Sequence, residues 1–396
     1  MEISFKEYIT EIDRKNLDIL KEKYINEGYD IYVVGGAIRD YFLKKEIKDI
    51  DLATNAPLEI TKNIFKSVIP TGEEFGTLTV VLNEEDYEIT RFRKDLETDG
   101  RRATVVEFAD KIEEDLSRRD FTFNGMAYSL KDEKIIDIYN GENDLKEKKI
   151  RFIGNPKRRI EEDHLRSIRY YRFIHRYGLT QDKKEEKIIK KTTNLSKISI
   201  ERIFQEFNKM FSYKKEKTKK EVIKGLYEIG ILKKLYLDEE IRILEEVFKL
   251  NSIVPIIIEY DKKQFEFSPW EVYKTNKQET KEILKINKQY KKYKNSKILI
   301  SALNHISNNF ELKSKILKYN KKELTKEEEE ELKEGKTYKL AIKSEDIIKE
   351  GFSGKDIGET INKLYEYIWK KEENNTENKL KSFIKKLKKK KVEQRR

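Results

Sequence analysis

The stretch VVGGAIRDYFLKKEIKDIDLATN, residues 33–55, decides how the chain is read. An apolar run from Ile31 to Val34 ends in two glycines, a helix-like AIRDYFL follows, and Asp49 and Asp51 then stand one residue apart. Side chains on a strand alternate between its faces, so residues two apart share a face at a separation of about 6–7 Å. Two carboxylates that close repel each other unless a cation lies between them. Hard divalent ions such as Mg²⁺ take oxygen ligands from one or two carboxylates plus substrate phosphates, and pairs of them drive in-line displacement at phosphorus. An exposed strand face or a helix cap also accounts for two such acids, so the pair alone decides nothing. Gly35 and Gly36 add a second element, because a strand, a glycine turn and a helix start carrying Arg39 make a cradle for a triphosphate.

Composition sets the frame around this element. The chain of 396 residues predicts two to four structural units. Charged residues reach 40% against 37% hydrophobic, yet 22 Tyr and 19 Phe supply bulk for packing, which predicts a folded chain with thin cores. The sequence contains no Cys, which excludes a disulfide framework and a thiolate metal site. With no long apolar run and no start like a signal peptide, we expect no membrane association and a cytoplasmic protein. The net charge of +12 points to a polyanionic partner, since clustered Lys and Arg release counterions from phosphates; a base-biased genome that favours Lys codons gives the same excess.

Strand-like runs such as DIYVVGG, GTLTVVLN and YEITRF alternate with turn signals up to about residue 150, which predicts a mixed sheet with helices. Beyond Pro156 the pattern turns helical, as in KKEVIKGLYEIGILKKLY, where Val222, Ile223, Leu226 and Ile229 recur at three and four residues. The charge-rich KKELTKEEEEELKEGK reads as a solvated helix or loop. Residues 379–396 carry ten basic side chains and one acidic one, a solvated tail or a phosphate-contacting one.

Residues 35–54 resemble the first signature of the nucleotidyltransferase superfamily, in the branch that holds class II tRNA nucleotidyltransferases and bacterial poly(A) polymerases. Further segments resemble the same family in order: YEITRFR at 87–93, EEDLSRRDFTFNGMAY at 113–128, DIYNGENDL at 137–145, EEDHLRSIRYYRF at 161–173, SIERIFQEF at 199–207 and GFSGKDIGETINKLYEYIWKK from 351. The resemblance implies that Asp49 and Asp51 hold Mg²⁺, with Glu88 as a third carboxylate. It assigns Arg118, Arg119, Asp120 and Asn124 to the ribose and phosphates beside Gly35, Gly36 and Arg39. Asp163 and Arg166 would read the base, with Glu162, Glu201 and Arg202 supporting and with Arg169 and Arg172 either bracing Asp163 or meeting phosphate. The segment FRKDLETDGRRATVVEF, 92–108, resembles the family's flexible loop, whose full length goes with adding the terminal A, and TGEEFGTLTVV, 71–81, resembles members directed at tRNA.

The base-reading pair also follows from chemistry. Residues three apart on a helix share a face. Cytosine and adenine each offer an exocyclic amino donor beside a ring-nitrogen acceptor, whereas uracil and guanine offer a carbonyl beside a ring N–H. A carboxylate plus a guanidinium therefore pairs with C and A and rejects U and G. An ordinary surface ion pair has the same spacing.

These observations predict an α/β nucleotidyltransferase head (1–150), a helical neck (151–236), a helical body (237–345) and a helical tail with a basic end (346–396). The expected activity is addition of C, C and A to tRNA from CTP and ATP, with Mg²⁺ as cofactor and tRNA as partner. The alternatives are an enzyme that adds only CC or only A, a poly(A) polymerase, or an idle RNA-binding protein.

Overall fold

A computed structural model describes residues 3–100, 103–211, 219–237, 240–250, 252–263, 277–293, 299–320, 323–335, 337 and 339–393. Arg101 and Arg102 at the tip of the expected flexible loop, and the last residues of the basic tail, lie outside them.

The chain folds as two compact units, 1–241 and 242–396. In the first, helices α1 (Phe5–Tyr8) and α2 (Glu11–Asn26) precede strand β1 (Ile31–Val34), and α3 (Gly36–Phe42) starts directly after it. Then follow β2 (Asp51–Thr54), α4 (Leu58–Ile64), β3 (Val68–Gly72), β4 (Thr77–Leu82), β5 (Glu85–Arg91), β6 (Arg93–Thr98), β7 (Ala103–Phe108), α5 (Ile112–Ser117), β8 (Ala127–Ser129), β9 (Lys134–Ile136) and α6 (Gly141–Lys146). Among the described residues the main sheet has the order β3-β4-β5-β2-β1-β8-β9. Its β2–β5 pair is parallel, with Leu52 opposite Ile89, and the other pairs are antiparallel. This is the mixed sheet that the alternating segments predict. The segment 92–108, which resembles a flexible loop, pairs with itself as the hairpin β6–β7, with strand-favouring Thr98, Val105, Val106 and Phe108 in its two arms on either side of Gly100.

Helices take over after α6: α7 (Pro156–Glu162), α8 (Leu165–Tyr177), α9 (Lys183–Thr192), α10 (Ile200–Phe211) and α11 (Lys219–Glu228). Proline at the first helical position and the Asn155 side chain, which accepts the N–H of Arg158, start α7. Helix α8 explains the seam between sheet and helices. Arg166, Arg169, Arg172 and Arg176 recur along one stripe, while Tyr170, Tyr171, Phe173 and Tyr177 bury their rings. Phe121 and Phe123 pack on Phe173 at centroid distances of 5.5 and 5.3 Å, and Phe152 stacks on Tyr170 at 5.9 Å. Each such ring contributes roughly 1.5–3 kcal/mol by leaving water, so the RRDFTFN segment is fixed to α8 by its phenylalanines while its polar side chains turn to other partners.

The second unit is helical around a core that includes Ile258, Ile286, Leu303, Ile316, Leu364 and Ile368. The acidic run forms a helix (Lys326–Glu334) opened by a capping box between Thr325 and Glu328, and its Leu332 is buried. The rest of the helix is solvated, its lysines and glutamates alike.

Candidate active site

The turn after β1 forms the floor of a cleft of about 500 Å³. Gly35 has φ +70°, and a side chain there would stand 3.0 Å from Nη1 of Arg119; one at Gly36 would stand 3.4 Å from Nη2 of Arg39. Both glycines therefore make room for guanidiniums. The N–H of Gly35 is donated to the carbonyl of Met126 at 3.4 Å, so this turn offers a ligand space and neighbouring cations rather than that N–H.

Asp49 and Asp51 line the same cleft. The expected shared strand holds for Asp51 alone, because β2 begins there and Asp49 precedes it in irregular backbone. The alternation survives the loss of the ladder: Ile50 and Leu52 are buried, while both aspartates are open to solvent. Glu88 precedes Ile89 on the parallel neighbour β5, which sets it beside Asp51. It does not line the cleft and acts on Asp51 by charge. Desolvation by the surrounding protein, then the charge of Glu88, raise the Asp51 carboxyl above the usual carboxylate range. Among the described residues no three His, Cys, Asp or Glu side chains close on one point. Two oxygen-donor side chains opening on a cationic cleft fit a hard divalent ion whose shell is completed by phosphate and water, and they do not fit a closed protein cage.

The cationic wall is built on buried acids. Asp115, fully buried in α5, accepts from Arg118 at 2.8 Å on one oxygen and from Arg119 at 3.0 Å on the other. Burial opposes its charge, but the two guanidiniums outweigh that and lower its carboxyl. Asp120 accepts the Asn124 amide at 2.8 Å and the Nε of Arg169 at 2.7 Å. Burial again opposes charge, and Arg169 overcomes it, holding this carboxyl at about 2. Asn124 in turn accepts from Arg39 at 2.7 Å, and Arg39 donates to Asp40, which also accepts from Tyr177. An unbroken hydrogen-bonded line thus runs from α3 through the RRDFTFN segment to α8, and Glu206 of α10 joins it by pairing with Arg172.

Residues 137–145 support this line from behind. The Asp137 carboxylate accepts the N–H groups of Gly141 and Glu142, and buried Asp144 accepts from Thr122 at 2.7 Å and from Arg151 at 2.7 Å. A side chain on Gly141 would meet the carbonyl of Thr122 at 2.5 Å, so glycine there lets α6 close on the backbone that carries Asp120 and Asn124.

Residues 31–151 match the poly(A) polymerase head domain, and residues 182–240 match the probable RNA and SrmB-binding site of polymerase A. Residues 31–151 thus carry a head domain of the poly(A) polymerase type. It is 40% identical over 188 residues to the CCA-adding enzyme of Bacillus subtilis, covering 47% of each chain. To that of Lactobacillus johnsonii it is 45% identical over 206 residues, covering 51% of each. The chain thus spans about half the length of the curated relatives it matches. The crystal structure of the Bacillus stearothermophilus CCA-adding enzyme in complex with CTP is similar with a TM-score of 0.74 at 23% identity, covering 98% of this chain and 100% of that one. The Thermotoga maritima CCA-adding enzyme complexed with tRNA is similar with a TM-score of 0.64 at 20% identity, covering 96% of both. At these identities the likeness is one of fold: a nucleotidyltransferase head with a mixed sheet followed by helical regions.

Within this fold, the expected base-reading pair does not share a helix. Asp163 ends α7 in extended backbone, with φ −150° and ψ 104°, and its carboxylate accepts the N–H of Leu165 at 3.0 Å. Aspartate competes with a helix interior in this way. Asp163 is paired with Arg202 of α10, not with Arg166. Arg166 donates to Glu162 at 2.9 Å and to the carbonyls of Arg159 and Arg118. Both Asp163 and Arg166 still line the cleft, as do Arg169, Arg172 and Arg202. Glu201 does not; it is exposed in the first turn of α10, and Glu206 occupies the cleft-facing phase one turn on from Arg202. The hairpin reaches the same corner, where Gly100 bridges to Asp163 and its carbonyl accepts the N–H of His164 at 3.1 Å.

Sequence reading passed over Asp115, Arg176, Glu206 and Lys209. Asp115 had a signal, since it stands three and four residues before the two arginines it holds.

Proposed function

We propose that this chain is a tRNA nucleotidyltransferase that builds the 3′-terminal C-C-A of tRNA from CTP and ATP, without a nucleic-acid template and with release of pyrophosphate. The observation that carries this reading is that Asp163 and Arg166 line the same cleft as Asp49 and Asp51, so one cavity combines a base-reading edge with a phosphate-reacting end. The similarity to CCA-adding enzymes supports it, as do the CTP and the tRNA bound in the similar structures.

In this reading Gly35, Gly36, Arg39, Arg118 and Arg119 orient the triphosphate, while Asp120 and Asn124 fix the sugar end. Asp163 accepts the exocyclic amino group of C or A, and a guanidinium, that of Arg166, donates to the neighbouring ring nitrogen. The 3′-hydroxyl oxygen of the RNA bonds to the α-phosphorus as the bond to the bridging oxygen of pyrophosphate breaks. Magnesium would be held by Asp49 and Asp51, with Glu88 behind Asp51; when bound it supplies acidification of the hydroxyl and neutralisation of the departing charge. Holding reactants in register is worth up to roughly 7–11 kcal/mol, which is the role assigned to the hydrogen-bonded line from α3 to α8. The head is proposed as 1–150 and the neck as 151–236; the body, 237–345, and the basic tail, 346–396, would grip the tRNA backbone by charge and shape. A cytoplasmic setting accords with that substrate.

The test is incubation with a tRNA lacking its 3′ end, Mg²⁺, and each labelled NTP singly and together, with products sized on a denaturing gel. Three added residues that need only CTP and ATP are expected. One or two would reassign the chain to a partial enzyme, a long A ladder to a poly(A) polymerase, and no extension to an RNA-binding protein.

A further inference from the structure

Among the described residues, nine cationic side chains line the cleft against four carboxylates. Eight of the nine are arginines, and every one of them is ion-paired with a carboxylate of the protein itself. Lys209 is the exception: among the described residues it makes no hydrogen bond and no ion pair. It stands on α10 two turns beyond Arg202, so Arg202, Glu206 and Lys209 share one face of the helix. Arg202 is spent on Asp163 and Glu206 on Arg172. Lys209 therefore presents its ammonium to the cleft about 10 Å along the helix from the base-reading corner. Desolvation, together with the nearby guanidiniums of Arg172, Arg169 and Arg176, lowers its pKa, with Glu206 opposing them. A cation placed among like charges with its own carboxylate already committed to Arg172 gains most from an incoming anion.

We propose that Lys209, with Arg176 beside it, seats a phosphate group at the end of the cleft away from Asp163. This rests on the nucleotidyltransferase reading and deepens it. The phosphate has two possible sources with one chemistry, a phosphodiester of the RNA 3′ strand or the triphosphate and pyrophosphate of the nucleotide.

The experiment uses the full chain as wild type, Lys209→Gln and Lys209→Arg, with no turnover required. Affinity is measured for a tRNA lacking its 3′ end between 50 and 200 mM salt, and separately for inorganic pyrophosphate. Lys209→Gln is expected to weaken one of these about fivefold at 50 mM salt, and Lys209→Arg to restore it. If the source is RNA, the ratio of wild-type to variant affinity shrinks by about threefold across that salt range, as loss of one phosphate contact requires. Weakening confined to pyrophosphate assigns the nucleotide as the source, and weakening of both assigns a seat used by each in turn. Wild-type affinity of Lys209→Gln for both probes would overturn the proposal while leaving the nucleotidyltransferase reading intact. A wild-type protein that binds but does not extend RNA would overturn the reading and leave the seat standing.

Discussion

Arg202 holds Asp163 with both terminal nitrogens, Nη2 at 2.8 Å from one carboxylate oxygen and Nη1 at 3.2 Å from the other. The acid proposed to read the base is thus aimed by a different helix from the one it ends. Arg202→Ala leaves only the Leu165 N–H holding that carboxylate, on one of its two oxygens. We expect kcat/KM for CTP and ATP to fall about 10- to 100-fold, discrimination against UTP and GTP to fall with it, and RNA affinity to stay near wild type. Steady-state incorporation of all four nucleotides measures this; intact selectivity with weakened RNA binding would make Arg202 a phosphate contact instead.

Asp49→Asn and Asp51→Asn remove one charge each from the edge where a divalent ion would bind. Incorporation should drop by at least about 10³-fold for either, with tRNA affinity unchanged or raised, because an acid facing phosphates has been neutralised. Single-turnover rates with filter-binding affinities separate the two effects, and retained turnover in both variants would remove the pair from the chemistry.

What the sequence disclosed, and what it withheld, follows the range of the interactions. The alternation around Ile50 and Leu52 is local, so the shared face of Asp49 and Asp51 was legible even though only Asp51 enters the ladder. The i,i+3 spacing of Asp163 and Arg166 was equally plain and misled, because the carboxylate of Asp163 accepts the Leu165 N–H and interrupts the helix between them. Arg202 and Glu206 are 39 and 34 residues from their partners. No spacing rule reaches that far, although the helical phase of Arg202, Glu206 and Lys209 was visible once α10 was granted.

Gly141 and Gly125 offer a paired test of packing. A methyl group on Gly141 would lie 2.5 Å from the Thr122 carbonyl and 2.8 Å from Cα of Phe123, both backbone, whereas on Gly125 its nearest neighbour is the tip of Ile153 at 2.6 Å. A side chain can turn away and a backbone cannot. Gly141→Ala should therefore lower stability by about 2–3 kcal/mol and raise the nucleotide KM, while Gly125→Ala should cost about 1 kcal/mol. Thermal midpoints and nucleotide titrations decide it; equal losses would mean that α6 yields as easily as Ile153.

Glu185 gives the fold a pH dependence whose sign can be stated. At the third position of α9 a glutamate commonly caps its own helix, but here Oε1 accepts the N–H of Phe152 at 3.2 Å and Oε2 is buried without a hydrogen-bond partner among the described residues. Burial raises this carboxyl to about 7, against the pull of the Phe152 N–H and with the charge of Asp182 adding to the rise; Arg151 and Asp144 act in opposite directions. The folded value lies above the unfolded one, so the native state binds more protons and stability falls as pH rises from about 4.5 to about 7. Glu185→Gln keeps an acceptor for Phe152 and removes the buried charge. It should exceed wild type in stability by about 1–2 kcal/mol at pH 8 and lose that advantage by about pH 4.5. Urea unfolding at the two pH values reads the difference, and a gain of the same size at both would show that the carboxylate is already relieved in the native protein.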